Sequence, residues 1–209
     1  MRVNRTAVVT ESGNGLGEIF ANILLKNKYD IILAASTKSF ELLSHNADGL
    51  VKYKLIETDF TSGKSLVELK SIIVSEYGHL DLLINNAEMA NGFGQKIDQL
   101  NIDEVRQVYE MNVLAVMRII QSLKPLLEKS EDTNIINITS AIGDINKMKD
   151  DNFCYSNNCI TAYATSKAAL NMYTHLQSNE FKPSKINIHT FDPTALKNCT
   201  HYSVESKKK

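Results

Sequence analysis

The chain of 209 residues is long enough for one well-buried domain and too short for two comfortable ones. Apolar residues make up 43% and charged residues 22%, which is ordinary globular usage and excludes disordered, collagen-like and coiled-coil chains. The 23 Lys and Arg against 24 Asp and Glu give a formal net charge of −1, so no basic field is available to attract a nucleic acid.

The sequence predicts a cytoplasmic protein. No apolar run reaches the roughly 20 residues of a membrane span, and the N-terminus leads directly into a strand-like block that is too short for a signal peptide. The odd number of cysteines, 3, and their spacing match no metal or redox motif, which favours free thiols in a reducing compartment. We therefore expect binding to neither membrane nor nucleic acid, and no metal site.

Strand-like and helix-like segments alternate along the chain. In chain order, the predicted elements are strand Thr6–Thr10, helix Leu16–Lys28, strand Asp30–Ala35, helix Ser39–Ala47, strand Tyr53–Glu57, helix Lys64–Tyr77 closed by Gly78, strand Leu80–Asn85, helix Ile102–Glu128, strand Asn134–Thr139, loop Asp144–Thr161, helix Ala162–Asn179 and strand Lys185–Phe191. Pro125 is predicted to kink or restart the fourth helix. The long polar loop is expected to be functional, because structureless loops of that length are uncommon.

This alternation predicts an α/β fold. Parallel strands need crossover connections long enough to carry a helix, and right-handed crossovers place helices on the faces of the sheet. The expected architecture is therefore a doubly wound parallel sheet of the Rossmann type with six strands. No repeat or linker interrupts the pattern, so residues 1–209 are predicted to form a single domain.

A glycine-rich turn follows the first predicted strand. Gly13, Gly15 and Gly17 let the backbone turn sharply, and the N-terminus of the following helix favours a negatively charged diphosphate. The spacing is not GxGxxG, because Glu18 stands in the last position. The turn predicts a dinucleotide site, with a purely structural turn as the alternative.

Tyr163 and Lys167 lie four residues apart and so share one face of the last predicted helix. An ammonium beside a phenol favours the phenolate, which suits proton exchange with a carbonyl or hydroxyl oxygen. The pattern is common by chance, so its meaning depends on the residues around it. Polar residues at strand ends or within an apolar helix stripe are Asp59, Asn86, Asn112 and Ser140.

Together these motifs resemble the short-chain dehydrogenase/reductase family, in the single-domain branch that uses NAD(P)(H). The resemblance spans Thr6 to Thr194 and is greatest to the sniffer-type carbonyl reductases and the C-factor proteins. It implies a small-molecule carbonyl or alcohol substrate. It also implies a homodimer, because the helix Ile102–Glu128 resembles the one that family members pack against a second copy.

The resemblance implies a role for each matching residue. Tyr163 would be the catalytic acid/base, and Lys167 would lower its pKa while holding the nicotinamide ribose. Ser140 would polarise the substrate carbonyl, and Asn112 would fix a water that relays protons from Lys167. The implied cofactor-binding residues are Gly13, Asn14, Gly15, Leu16, Gly17, Ser36, Lys38, Asp59, Phe60, Asn86, Ala87, Tyr163, Lys167 and Pro193.

The residues after the second predicted strand favour NADP(H). An NAD enzyme usually offers a carboxylate there to the ribose 2′-hydroxyl. Ser36, Thr37 and Lys38 offer none and could accept a 2′-phosphate, although Asn14 stands where many NADP-dependent members carry arginine. NAD(H) is the alternative.

Departures from the family favour a second interpretation. Glu11, Glu88 and Thr194 stand where family members have glycine, and the family's seventh strand is expected to be missing after the sixth. A carboxylate about 5 Å from a phosphate costs on the order of 3 kcal/mol at an effective dielectric constant near 20. The alternative is therefore a degenerate member with weak or absent cofactor binding that acts as a binding or regulatory protein.

Overall fold

Six parallel strands form a single sheet. The structure, a computed structural model, describes residues 4–11, 15–36 and 52–193. The strands are Thr6–Thr10 (β1), Asp30–Ala35 (β2), Tyr53–Glu57 (β3), Leu82–Asn85 (β4), Thr133–Ile138 (β5) and Ile186–Phe191 (β6). Their order across the sheet is β3-β2-β1-β4-β5-β6, which confirms the predicted doubly wound arrangement.

The central strands are buried on both faces of the sheet. Successive side chains of a strand point to opposite faces, so Val8 belongs to one apolar core and Val9 to the other, and both are fully buried. Such strands read as continuous apolar runs rather than alternating patterns, which is why the sequence indicated them so clearly.

The helices in the described part of the chain are Gly15–Lys26 (α1), Gly63–Glu76 (α2), Ile102–Tyr109 (α3), Val116–Leu127 (α4), Ile145–Met148 (α5) and Thr161–Glu180 (α6), with short 3₁₀ turns at Ile97–Gln99 and Ala141–Gly143. Side chains of α2, α4 and α6 pack into the first core, and those of α1 into the second. Gly78, at φ +78°, ends α2 as predicted, and its N–H donates to the Ile73 carbonyl at 2.9 Å.

The long helix predicted over residues 102–128 has a break that the sequence did not indicate. A π-helical segment, Glu110–Ala115, separates α3 from α4. The predicted restart at Pro125 is wrong, because α4 continues through it to Leu127. The carbonyl that loses its helical partner belongs to Gln121, which is exposed and can bond to water instead.

The segment 144–161 is less irregular than predicted. Helix α5 occupies its start, and hydrogen-bonded turns follow, such as the one in which the Phe153 N–H donates to the Asp150 carbonyl at 2.9 Å. The helix predicted over Ser39–Ala47 lies outside the described residues. Among the helices that are described, none combines the length and apolarity needed to cross a bilayer.

The strand order reverses between β1 and β4. Strand β1 pairs with β2 on one side and with β4 on the other. In open α/β sheets, ligands bind at the carboxyl ends of the strands that flank such a reversal. The residues at the ends of β1 and β4, Thr10–Glu11 and Asn85–Glu88, therefore define the candidate ligand crevice.

Candidate active site

Thr10 joins the two sides of the crevice. Its hydroxyl oxygen accepts the backbone N–H of Asn86 at 2.9 Å and that of Ala87 at 2.8 Å. The Asn86 side chain donates in return to the carbonyls of Thr10 at 3.1 Å and Glu11 at 2.8 Å. Thr10 was not predicted as a site residue, although a polar residue at the end of an apolar strand is a signal for one.

Glu11 points its carboxylate at the end of β2. Its Oε1 accepts the backbone N–H of Ser36 at 2.8 Å, and its own N–H donates to the Ala34 carbonyl at 2.8 Å. Its φ is +48°, a conformation that costs a non-glycine residue on the order of 1 kcal/mol. The Glu11 carboxylate therefore lies at the carboxyl end of β2, where β2 itself has no acidic side chain.

The start of α1 is only partly described. Gly15 has a φ of +56° and begins the helix, Gly17 is buried within it, and Leu16 packs against the second core. The predicted cofactor-binding residues Gly13, Asn14 and Lys38 lie outside the described residues.

Tyr163 and Lys167 share one face of α6, as their spacing predicted. The Lys167 Nζ lies 5.4 Å from the centre of the Tyr163 ring. Both side chains meet the carboxylate of Glu88: Oε2 accepts the Tyr163 hydroxyl at 3.0 Å and lies 2.7 Å from Nζ of Lys167. The sequence identified Glu88 as a replacement for a family glycine and did not predict this contact.

Lys167 is buried, with 1% of its surface exposed. Besides the Glu88 carboxylate, its Nζ donates to the carbonyl of Ile138 at 3.0 Å, at the end of β5. The ammonium is therefore held between the sheet edge and the crevice, where a compensating negative charge lowers the cost of burial.

Ser140 follows β5 and begins the turn that packs on α6. Its hydroxyl oxygen accepts the N–H of Ile142 at 3.3 Å, which leaves its own hydrogen for donation. The turn can approach α6 because it contains Gly143. A Cβ there would lie 2.7 Å from the backbone of Lys167 and Ala168, so only glycine allows this close approach without a shift of the turn.

Asn112 lies in the π-helical segment and connects two parts of the site. Its Oδ1 accepts the N–H of Met89 at 2.7 Å, and its Nδ2 donates to the Met89 carbonyl at 2.9 Å and to the Ser166 hydroxyl at 3.0 Å. It therefore holds the backbone beside Glu88 against the helix that carries Lys167. Ser166, which lies between the Tyr and the Lys, was not singled out from the sequence.

Three further predicted cofactor residues lie around the sheet edge. Asp59 is exposed, and hydrogen bonds from the hydroxyl and the N–H of Thr61 lower the pKa of its carboxyl. Phe60 is fully buried and belongs to the first core, so its side chain is used for packing. Pro193 is half-buried and lies two residues after the end of β6.

Two clefts open near these residues. One of about 580 Å³ lies between residues 90–93 and the start of α3 and includes Phe93, whose ring centre is 6.1 Å from that of Tyr163. The other, of about 810 Å³, lies between β6 and α6 and includes Ser140. In the described part of the chain, no cluster of His, Cys, Asp and Glu side chains could hold a metal ion.

Comparison with known proteins places this geometry in a family. The family model of the short chain dehydrogenases matches residues 5–209. The chain belongs to the short-chain dehydrogenase family. An uncharacterized oxidoreductase of Staphylococcus aureus is 26% identical over 193 residues, which cover 91% of this chain and 77% of that protein.

Two solved structures of the family resemble this chain over most of its length. An NADPH-bound carbonyl reductase from chicken fatty liver is 25% identical to this chain, with a TM-score of 0.80. The match covers 91% of this chain and 79% of the reductase. The Caenorhabditis elegans protein Sniffer, named as a carbonyl reductase, is 27% identical to this chain, with a TM-score of 0.80. The match covers 91% of this chain and 86% of Sniffer. A short-chain dehydrogenase from Streptomyces avermitilis, at 21% identity and a TM-score of 0.75, shares the fold, and this chain covers 66% of it.

The donors of this site fit a hydroxyl-bearing ligand such as a nucleotide ribose once the glutamates have left. Tyr163 and Lys167 both direct their donors at one oxygen, which belongs to the Glu88 carboxylate. At the end of β2, the Ser36 N–H is used in the same way by Glu11. Both ends of the crevice therefore bind oxygen acceptors that the chain itself supplies.

Proposed function

We propose that this protein is an NAD(P)(H)-dependent oxidoreductase that interconverts a small-molecule aldehyde or ketone and the corresponding alcohol. The observation that carries the proposal is the convergence of the Tyr163 hydroxyl and the Lys167 ammonium on one oxygen position beside the crevice. Membership of the short-chain dehydrogenase family supports this class of reaction.

In this proposal, Tyr163 exchanges the proton. Its hydroxyl would donate a proton to the carbonyl oxygen during reduction, and its phenolate would take the proton from the alcohol hydroxyl during oxidation. A bound nicotinamide cofactor would supply the hydride to the carbonyl carbon in the first direction and accept it from the alcohol carbon in the second. The positive charge of Lys167 stabilises the phenolate that forms when the proton leaves. Ser140 donates its hydroxyl hydrogen to the same carbonyl oxygen, and Asn112 orients α6 and a relay water.

We propose the remaining predicted residues as the cofactor site. Asn86 and Ala87 line it where β4 ends, Asp59 and Phe60 follow β3, and Pro193 follows β6. Gly13 to Gly17 would face the diphosphate, since helix N-termini bind such anions. These assignments rest on the family resemblance and on the position of the residues at the carboxyl edge of the sheet.

For the cofactor we propose NADP(H) in preference to NAD(H). Ser36, Thr37 and Lys38 carry no carboxylate that would select the ribose 2′-hydroxyl, and the chain resembles a carbonyl reductase that binds NADPH. The Glu11 carboxylate at the Ser36 N–H opposes a 2′-phosphate and lowers this preference. Tighter binding of NADH than of NADPH would mean that Glu11 serves the 2′-hydroxyl instead.

We further propose that the chain acts in the cytoplasm as a homodimer and is related to the sniffer-type carbonyl reductases. The likeness to Sniffer and to the chicken carbonyl reductase supports that subfamily. The exposed apolar side chains of Ile102, on α3, and Leu114, in the π-helical segment before α4, support a dimer through this region.

NADPH oxidation with a panel of small aldehydes, quinones and diketones tests the proposed reaction. We expect Tyr163→Phe to lower turnover by roughly 10²- to 10⁴-fold, the usual contribution of a positioned acid/base. Tyr173→Phe, which removes the same hydroxyl from the same helix, is the matched control and should retain activity. Equal turnover by the wild-type protein and Tyr163→Phe would count against the proposal.

Two observations favour a second candidate, a degenerate member that serves as a binding or regulatory protein. Glu88 occupies the donors of Lys167 and Tyr163, and Glu11 occupies that of Ser36. Calorimetric titration with NADPH and NADH separates the two candidates. Micromolar binding by the wild-type protein would exclude a loss of cofactor binding as the basis of the second.

A further inference from the structure

The Glu88 carboxylate contacts both members of the proposed catalytic pair through one oxygen. Oε2 lies 2.7 Å from Nζ of Lys167 and accepts the hydroxyl of Tyr163 at 3.0 Å. The Glu88 side chain is 42% exposed, whereas that of Lys167 is 2% exposed. Glu88 therefore reaches the buried ammonium from the solvent-facing side of the crevice.

The burial of Lys167 favours this contact. A buried ammonium is costly unless an opposite charge compensates it, and the Ile138 carbonyl at 3.0 Å is a neutral acceptor. The Glu88 carboxylate supplies the missing charge. The ion pair between Glu88 and Lys167 is therefore favoured while no ligand is bound.

The backbone on both sides of Glu88 is fixed. The Ala87 N–H donates to the Thr10 hydroxyl at 2.8 Å, and the Met89 N–H donates to Asn112 Oδ1 at 2.7 Å. The carboxylate can therefore leave by rotation about its own side-chain torsions, without movement of the segment that carries it. The half-exposed position of Glu88 leaves solvent as the place to which it can turn.

We propose that the Glu88 carboxylate competes with the cofactor and the substrate for the hydrogen-bond donors of Lys167 and Tyr163. The carboxylate must leave Lys167 and Tyr163 before a ribose hydroxyl and a substrate oxygen can accept the same hydrogen bonds, so Glu88 lowers the affinity for the cofactor. The inference rests on the proposed function, because it assumes that a nicotinamide dinucleotide is the ligand that replaces Glu88.

Two substitutions separate the charge of Glu88 from its bulk. Glu88→Gln keeps the size and removes the charge, and Glu88→Ala removes both. Glu76→Gln is the matched control, since Glu76 is also a partly exposed carboxylate paired with a lysine, Lys54, at the far end of α2. NADPH binding to the full chain is measured by titration calorimetry and by the fluorescence of the bound nucleotide.

We expect both Glu88 variants to bind NADPH roughly tenfold more tightly than the wild-type protein, and Glu76→Gln to bind like the wild type. Binding by the two Glu88 variants that is detectable when the wild type shows none would support the inference as well. Unchanged or weaker binding in both variants, with a wild type that binds, would overturn it and leave the proposed function intact. Absence of NADPH and NADH binding to every variant at millimolar nucleotide would overturn the proposed function and the inference together.

Discussion

A carboxylate near phosphate groups weakens nucleotide binding. Glu11 places its carboxylate at the carboxyl end of β2. Its Oε1 accepts the Ser36 N–H at 2.8 Å, and its φ of +48° is one that glycine adopts more readily. The sequence predicted a negative charge in this turn, because glutamate stands where the family has glycine. It did not predict where the charge would point, since that depends on a backbone donor from a neighbouring strand.

Glu11→Gln tests the effect of this charge alone, because the amide oxygen can still accept the Ser36 N–H. The 2′-phosphate gives NADPH additional negative charge, so we expect its affinity to rise by roughly tenfold or more and that of NADH to rise less. Calorimetric titration with both nucleotides measures the ratio, and Glu76→Gln serves as the control. An equal gain for both would place Glu11 away from the 2′-phosphate.

The contacts of Glu88 could not be predicted from the sequence. Tyr163 and Lys167 were recognised because their spacing of four fixes a common helix face, a local property. The contact between Glu88 and Tyr163 joins residues 75 apart and depends on how β4 and α6 meet in the fold. Thr10 and Ser166 were missed for the same reason, since their partners lie on other elements.

At the scale of elements, the turn Ala141–Gly143 and helix α6 approach each other more closely than a side chain on residue 143 would allow. A Cβ on Gly143 would lie 2.7 Å from the Lys167 carbonyl carbon and the Ala168 nitrogen, which are backbone atoms that cannot turn away. We expect Gly143→Ala to lower the free energy of unfolding by about 1–3 kcal/mol, the usual cost of overpacking. Urea unfolding followed by circular dichroism measures the change.

Gly63→Ala is the control for this prediction, because a Cβ at Gly63 would meet nothing within 4 Å. It lies at the start of α2, where alanine is the better helix former, so its stability should be unchanged or slightly higher. Unchanged stability in Gly143→Ala would show that the turn can shift away from α6.

The strands were the elements best predicted from the sequence, and the break in the long helix was the worst. Strands β1, β2 and β4 are buried on both faces and leave nearly unbroken apolar runs, and all six strands were placed within two residues of their observed ends. A π-helical segment preserves the helical pattern closely enough to be hidden in it. Yet this segment carries Asn112, and π-helical segments are frequent at functional sites.

At the scale of the whole molecule, the sheet order determines where the site lies. The order β3-β2-β1-β4-β5-β6 brings the ends of β1 and β4 side by side, so Thr10 can reach Asn86 and Ala87 across the reversal. The alternation of elements was enough to predict a doubly wound parallel sheet, although not its strand order. The alternation could not predict that Glu11 and Glu88 accept hydrogen bonds from the donors of the crevice. The fold determines where the crevice lies and not which side chains occupy it.

The proposed homodimer is a prediction about the surface formed by α3 and the π-helical segment that follows it. Ile102 on α3 is 54% exposed and Leu114 in the π-helical segment is 40% exposed, and we expect light scattering to give the mass of two chains. Leu114→Lys should shift the protein toward the monomer, because it places a charge in the apolar contact. Val67→Lys, on α2 at 63% exposure, is the control and should remain dimeric. A mass near four chains, or a wild-type monomer, would contradict the prediction.

A crystal structure of the full chain with millimolar NADPH tests most directly whether the Tyr163–Lys167 pair serves a dinucleotide. We predict that the nucleotide lies along the carboxyl ends of β1 and β4, with a ribose oxygen on Lys167 in the place of the Glu88 carboxylate. A structure in which Glu88 still binds Lys167 and Tyr163, with the nucleotide elsewhere or absent, would contradict it.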